Sequence, residues 1–174
     1  DLHWHQVIKA DETFDVKVLP AWRPDKAMNL ETDFYTDYIK QLSEVSGIKV
    51  KDFPSLKEAL CRRLDYFAEN GCSVSDHALN YIYYAPASEE EVNAILLKRL
   101  NGEGVDAGEQ LKFKTAFMQF VAKEYHRRNW VMQLHFGCKR NNNALMFEKL
   151  GPDTGYDSID NYAPAATAAD FLNS

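Results

Sequence analysis

The sequence predicts a helix-rich α/β fold with parallel strands, in a single domain that spans residues 1–174. Short apolar segments that are typical of buried strands alternate with amphipathic stretches at helical spacing. Strands that alternate with helices favour a parallel sheet with right-handed crossovers. The hydrophobic content of 45% is sufficient for the packed core that such a fold requires.

Three segments are predicted to be strands, and each leads into polar sequence. The first covers residues 15–22 and is followed by Arg-Pro-Asp-Lys. The second covers residues 71–75 and is followed by Asp-His, and the third covers residues 130–136 and is followed by a glycine turn. Polar groups are therefore expected where these strands end.

The remaining sequence carries helical periodicity, and local signals mark the helix ends. Ser55 and Glu58, just after Pro54, fit a capping box in which each side chain accepts a hydrogen bond from the other residue's backbone. Ser88 and Glu91 fit a second box. The predicted helices cover about residues 33–46, 55–69, 88–100 and 108–128.

Charge and cysteine content argue against several classes of protein. The net charge is −6, and nucleic-acid binding needs clustered Lys and Arg side chains, so no nucleic-acid partner is expected. No apolar run reaches the roughly 18 residues of a membrane span, so no membrane partner is expected. Three cysteines without a CxxC pair predict free thiols in a reducing compartment, and therefore a cytoplasmic protein.

The third predicted strand ends in the strongest candidate site. His135 lies at its end, and Arg140 follows across a glycine turn. Residues at the carboxyl ends of strands often carry the chemistry of parallel α/β folds. His135 could bind a metal or move a proton, and Arg140 could bind an anionic oxygen. Alternatively, His135 only forms a hydrogen bond with a neighbouring loop.

Two more candidates follow the other predicted strands. Asp76 could act as a base or orient a cation, or it could be the N-cap of a helix that begins at Ala78. Arg23 precedes Pro24, which holds the arginine backbone extended, so its side chain could point into a cleft. The alternative for Arg23 is an ordinary turn with solvated charges.

Three other segments predict structure rather than chemistry. His3 and His5 have the spacing of a metal-binding pair, but the following residues suit a helix, on which these two positions diverge. The segment 151–158 lacks phosphate-loop spacing and predicts a structured turn before another helix. The alanine-rich stretch 163–169 is short enough to be helical.

Four segments resemble the uronate isomerase (glucuronate isomerase) family, which belongs to the amidohydrolase-like (β/α)8 barrels. They occur in the family's order at residues 18–28, 75–79, 132–143 and 150–159. The resemblance implies a partial (β/α)8 TIM-type barrel with parallel strands, because a complete barrel typically takes ~250 residues. We expect an internal piece of the barrel with a helical elaboration at about residues 77–129.

The resemblance also implies an activity. The parent protein would be an aldose–ketose isomerase of hexuronate catabolism that interconverts D-glucuronate and D-fructuronate, and galacturonate and tagaturonate, by proton transfer between C2 and C1. The matching positions assign catalysis to His135, Asp76 and Arg140, and binding of the small uronate substrate to Arg23 and Arg140. A divalent metal, usually zinc, would lie near His135.

Two parts of the family pattern have no counterpart here, namely the HxH pair after the first barrel strand and the aspartate after the last. A lone histidine cannot hold catalytic zinc. We therefore expect the isolated chain to be inactive and to lack a complete metal site. Open strand edges also lead us to expect either cover by helices or association of copies into a homo-oligomer.

Two other functions remain open from the sequence. One is a metal-dependent hydrolase of the same superfamily, although Asn141, Asn142 and Asn143 beside Arg140 favour a hydroxyl-rich anionic ligand over an ester or amide. The other is a non-catalytic α/β binding module. Convergence of the His135, Arg140 and Asp76 side chains on one cleft would favour the enzyme.

Overall fold

The computed structural model describes residues 2–161 and 165–174. The helices of these residues are α1 (His3–Ala10), α2 (Asp25–Met28), α3 (Tyr35–Ser46), α4 (Phe53–Glu69), α5 (Glu89–Leu100), α6 (Ala107–Arg127), α7 (Ala144–Leu150) and α8 (Ala165–Leu172). The strands are β1 (Val74–Ala78), β2 (Val131–His135), β3 (Cys138–Lys139) and β4 (Ser158–Ile159). Residues 163 and 164 of the predicted alanine-rich helix lie outside the described residues, and α8 contains the rest of it.

The central sheet is parallel, as predicted. β1 and β2 pair from Val74↔Val131 to Ala78↔His135. Trp22 adds a single parallel bridge on the other side of β1, where its N–H donates to the Val74 carbonyl at 3.0 Å and its carbonyl accepts from Asp76 N–H at 2.8 Å. Three parallel segments therefore lie side by side, with β1 in the middle.

The prediction of a strand over residues 15–22 is wrong except at Trp22. Val16 and Val18 show the alternation of a strand, but their side chains are exposed and the segment has no regular strand structure. A strand needs a hydrogen-bonded neighbour, and sequence alternation alone does not supply one. Leu19 instead packs over Gly71, where an added Cβ would lie 2.9 Å from the leucine side chain. The positive φ of 88° at Gly71 also favours glycine.

The second strand lies three residues later than predicted. Gly71 and Cys72 still belong to the turn after α4, and Asp76 lies inside β1 rather than after it. The N-cap interpretation of Asp76 is therefore wrong, because the next helix begins only at Glu89. The third strand, predicted at residues 130–136, is confirmed as β2.

Helix ends follow the capping chemistry that the sequence predicts, with one correction. Ser88 and Glu91 form the expected capping box of α5. In α4, however, Asp52 is the N-cap and accepts from Ser55 N–H at 2.8 Å, while Ser55 Oγ accepts from Asp52 N–H at 3.1 Å. Ser55 is thus the third helical residue rather than the cap. Pro54 fits in the first turn, where its missing N–H has no intrahelical acceptor.

Removing the α5 cap should have a measurable cost. Ser88→Ala deletes the hydroxyl that accepts from Glu91 N–H at 3.2 Å, so we expect the free energy of unfolding to fall by about 1 kcal/mol. Urea titration followed by circular dichroism measures this change. Ser88→Thr keeps a capping hydroxyl and is the control, so an equal loss in both variants would contradict the capping role.

The core lies between the helices and one face of the sheet. Ser75 and His77 of β1 point into this core and are completely buried. The apolar side chains that α4 and α6 contribute to this core include Leu56, Leu60, Leu64, Phe113, Phe117, Val121 and Tyr125. Because side chains alternate along a strand, Asp76 of β1 and His135 of β2 face away from this core, on the open side of the sheet.

A small hairpin follows the sheet. β3 and β4 pair antiparallel, and α7 and the turn 151–157 connect them, in line with the predicted structured turn. Gly137 N–H donates to the Asn80 carbonyl at 3.1 Å, and Asp160 N–H donates to the Gly137 carbonyl at 2.9 Å. These bonds attach the hairpin to the carboxyl end of the parallel strands. None of the described helices is long and apolar enough to cross a membrane.

Candidate functional site

Asp76 lies at the centre of a cluster on the open face of the sheet. Its Oδ2 is 3.3 Å from Arg23 Nη1, and its Oδ1 is 3.0 Å from His135 Nδ1. The strand register explains the cluster, because Ala78 is level with His135 and Asp76 lies one side-chain step back on the same face. The structure therefore brings together three of the four side chains that the sequence singled out.

His135 presents its imidazole at the rim of this cluster. Its side chain is 55% exposed, and its Nε2 contacts the side-chain amide of Gln133. A carboxylate only accepts hydrogen bonds, so the nearby Asp76 favours a proton on Nδ1, and Nε2 then accepts from the Gln133 amide. Oδ1 of Asp76 is buried and has no well-aligned hydrogen bond among the described residues. This pair can exchange protons with a bound molecule.

Arg23 lies between two carboxylates. Its Nε donates to Asp25 Oδ2 at 3.0 Å, while its Nη1 approaches Asp76. The side chain is 50% exposed, so part of the guanidinium remains open to solvent. A half-exposed guanidinium that is fixed on one side suits the binding of an anionic or hydroxyl oxygen.

Beneath Arg23 lies a buried polar chain that the sequence analysis missed. Asp25 Oδ1 is 3.2 Å from His77 Nδ1, and Asp25 Oδ2 accepts from Ala78 N–H at 2.9 Å. His77 Nε2 is 3.1 Å from the hydroxyl of Tyr125. A possible signal was the Asp76-His77 pair itself, because adjacent strand residues point to opposite faces and one of the two had to enter the core.

Hydrogen bonding and burial determine the protonation of Asp25 and Tyr125 in this buried series of polar residues. Burial tends to raise the pKa of Asp25, but hydrogen bonds from His77, Ala78 N–H and Arg23 outweigh it and leave this pKa below its ordinary value. Burial raises the pKa of Tyr125 far above its ordinary value. Asp25 is therefore a carboxylate and Tyr125 a neutral phenol near neutral pH.

The pKa of Asp25 predicts a specific sensitivity to acid. Because the folded-state pKa lies below the ordinary 3.8, the unfolded chain binds this proton more tightly. The stabilisation by Asp25 is therefore complete above about pH 5 and is lost as the pH falls below about 4. Other carboxylates also titrate there, so we compare urea midpoints of the wild type and Asp25→Asn from neutral pH to about pH 3. Their difference should shrink in acid, and parallel curves would contradict the role of Asp25.

Arg140 lies at the same end of the strands but has other partners. Its Nη1 is 2.7 Å from Asp157 Oδ2 and 3.6 Å from Asp153 Oδ1. Asn141 N–H also donates to Asp157 at 2.9 Å, and this bond together with Arg140 lowers the pKa of Asp157. Asp76 and His135 therefore converge, whereas the turn between β3 and β4 holds Arg140 through ion pairs.

The described residues do not form a complete metal site. No group of three or more His, Cys, Asp or Glu side chains that could hold a metal ion occurs among them. His3 and His5 lie in α1, as predicted from the helical sequence that follows them. Catalytic zinc takes roughly three protein ligands, so His135 would need ligands from outside these residues.

Comparison with known proteins places the chain in a family. A family model described as glucuronate isomerase matches residues 1–174. The uronate isomerase of Lachnospira eligens is 59% identical over 172 residues, which are 99% of this chain and 37% of the relative. The uronate isomerase of Endomicrobium trichonymphae is 53% identical, again over 99% of this chain and 37% of the relative. The chain thus spans little more than a third of the length of these relatives.

Solved structures of the same family also match this chain. The crystal structure of uronate isomerase from Thermotoga maritima matches with a TM-score of 0.90 and 33% identity, over 99% of this chain and 38% of that one. Glucuronate isomerase from Caulobacter crescentus matches with a TM-score of 0.86 and 25% identity, over 99% of this chain and 36% of that one. These matches confirm the predicted fold class of a partial barrel with parallel strands. The chain belongs to the glucuronate isomerase family.

Proposed function

We propose that this chain supplies part of the active site of a uronate isomerase that interconverts D-glucuronate and D-fructuronate, and galacturonate and tagaturonate. The observation that carries the proposal is the placement of the Asp76 carboxylate between Arg23 and His135 on the open face of the sheet. Such an enzyme would act in hexuronate catabolism in the cytoplasm.

The reaction needs two proton movements. A base removes the proton from C2 and returns it to C1 through a cis-enediol, while a proton moves from the C2 oxygen to the C1 oxygen. We assign the carbon proton to the carboxylate of Asp76, whose side chain lies on the open face of the sheet and is 21% exposed. We assign the oxygen proton to Nε2 of His135, which lies at the exposed rim.

Arginines would bind the substrate's charge. Arg23 has an open side next to Asp76 and can bind the substrate carboxylate or a hydroxyl oxygen. Arg140 follows the same strand end and would reach the substrate by exchanging its ion pair with Asp157 for one with the uronate carboxylate. This exchange conserves a charged hydrogen bond, so it needs no unpaired guanidinium.

The family also implies a divalent metal such as zinc, but the residues present do not fit one by themselves. His135 is the candidate ligand, and the described residues supply no set of three donors around it. Asp76 and His135 are assigned the proton movements because their side chains lie 3.0 Å apart on the open face of the sheet.

Two forms of the protein test this proposal. We would assay the chain alone, and a chimera in which it replaces the matching segment of the Lachnospira eligens relative, for conversion of D-glucuronate to D-fructuronate with added Zn²⁺. We expect turnover by the chimera and none by the chain alone. A folded but inactive chimera would overturn the proposal, and turnover by the chain alone would overturn the need for residues outside it.

A further inference from the structure

The buried carboxylate of Asp25 accepts hydrogen bonds from three different places. Its donors are the Nε of Arg23 at 3.0 Å, the backbone N–H of Ala78 at 2.9 Å and, at 3.2 Å, the Nδ1 of His77. The side chain is only 14% exposed, so water contributes little to its solvation. Donors from the loop, the strand backbone and a core side chain thus fix both oxygens of Asp25.

The chemistry of these groups fixes the protons. A carboxylate only accepts, so His77 must donate from Nδ1. The other ring nitrogen of His77, Nε2, lies 3.1 Å from the Tyr125 hydroxyl, which can donate to it. His77 is 0% and Tyr125 is 1% exposed, which shields this arrangement from solvent.

The hydrogen-bonded series from Tyr125 through His77 and Asp25 ends at Arg23, whose side chain faces solvent. Arg23 is held at Nε by Asp25 and at Nη1 by Asp76, while half of its surface stays open. A free arginine side chain would lose much rotamer entropy on binding an anion, and a side chain fixed beforehand avoids most of that loss. Asp25 therefore acts on the outward-facing guanidinium without itself reaching a ligand.

We propose that Asp25, anchored by His77, Tyr125 and the Ala78 amide, is a positioning residue that orients the Arg23 guanidinium for the substrate's anionic or hydroxyl oxygen. This inference rests on the proposed function for its substrate, but its geometric part can be tested without activity. Two variants separate the roles of the Asp25 oxygens.

Asp25→Asn keeps one oxygen and replaces the other with an amide NH2. The remaining oxygen must accept from Arg23 and Ala78, because both share Oδ2, so the NH2 must face His77. His77 then has to accept at Nδ1 and carry its proton on Nε2, which can donate to Tyr125. Asp25→Ala removes both oxygens and leaves Arg23 Nε without this acceptor.

The first measurement is nuclear magnetic resonance on the chain labelled with ¹⁵N at histidine and arginine. We expect an Nδ1–H tautomer of His77 in the wild type and an Nε2–H tautomer in Asp25→Asn, with His77→Gln to assign the signals. A slowly exchanging Arg23 Nε–H should be present in both and absent in Asp25→Ala. Asp37→Asn, which changes an exposed carboxylate on α3, should alter neither signal. The proposal would be overturned if His77 carried its proton on Nε2 instead of Nδ1 in the wild type. It would also be overturned if the Arg23 Nε–H signal survived in Asp25→Ala.

The second measurement is a double-mutant cycle in the chimera. Asp25→Ala should lower kcat/KM about 100-fold with Arg23 present, since misplacing a binding group has effects of this size. Asp25→Asn should give an intermediate value. In an Arg23→Gln background, Asp25→Ala should cost no more than about 2-fold, because a residue that acts through Arg23 has nothing left to position. Equal losses in both backgrounds would show a merely structural role.

The outcomes distinguish this inference from the proposed function. An inactive wild-type chimera would remove the function, and the resonance experiment would still decide whether Asp25 holds Arg23. If the chimera is active but substitution of Asp25 changes neither the Arg23 signal nor kcat/KM, the proposed function stands and the positioning role is wrong.

Discussion

Replacing Asp76 by asparagine is expected to lower kcat in the chimera by about 1,000-fold, the middle of the range for loss of a general base. The change keeps the size of the side chain but removes its basicity and negative charge. It also puts neutral oxygen and nitrogen atoms where the carboxylate oxygens now lie 3.3 Å from Arg23 Nη1 and 3.0 Å from His135 Nδ1. Because one carboxylate contacts both neighbours, a single substitution disturbs the whole cluster.

Steady-state kinetics on D-glucuronate measure this effect, with circular dichroism to verify folding. Asp37→Asn is the matched control, because it makes the same chemical change at an exposed ion pair with Lys40 and should leave kcat unchanged. If Asp76→Asn folds and retains more than about a tenth of the wild-type kcat, Asp76 is not the base.

The largest expected effect on stability comes from the core. Phe117 of α6 is 0% exposed, and its ring centroid lies 6.2 Å from that of Phe113. Phe117→Ala removes the ring from packing between α6 and the other helices, so we expect a loss of about 3–5 kcal/mol in the free energy of unfolding. The free energy of unfolding of a typical domain is about 5–15 kcal/mol in total. The variant should therefore unfold at a urea concentration well below the wild-type midpoint.

Urea titrations of the chain give this value directly. Phe14→Ala serves as the control, because Phe14 is 47% exposed and lies outside the helices and strands. Its loss should stay below about 1 kcal/mol, the scale of an exposed site. Similar losses at the two positions would mean that the core does not surround Phe117 as described.

The helices could be predicted because their signals are local. The Ser88–Glu91 box and the apolar spacing of α5 and α6 depend only on residues within a few turns. The segment before Trp22 shows the opposite case, since its residues alternate like a strand but pair with no strand among the described residues. Asp76 was predicted to follow a strand that instead contains it, because the turn after α4 includes Gly71 and Cys72 and β1 begins only at Val74.

The candidate site was partly predictable for the same reason. Polar residues at the ends of apolar segments indicated Arg23, Asp76 and His135, and parallel pairing brings them together. The link from Asp25 through His77 to Tyr125 joins residues 52 and 48 positions apart and depends on how α6 packs on β1. The pairing of Arg140 with Asp157, 17 positions later, depends on the fold of the hairpin. Such pairings appear only when the chain is folded.

The outer side of β2 has a consequence for how the barrel continues. Val131 N–H donates to the Ser73 carbonyl, and the His135 carbonyl accepts from Leu79 N–H, so alternate residues of β2 turn their backbone groups towards β1. Met132 and Leu134 therefore direct their amides and carbonyls the other way, where the described residues place no further strand. Any strand that docks there must match this fixed ladder, since a slip by one residue would exchange its two faces. The backbone of β2 thus fixes the register of any strand that pairs with its outer edge.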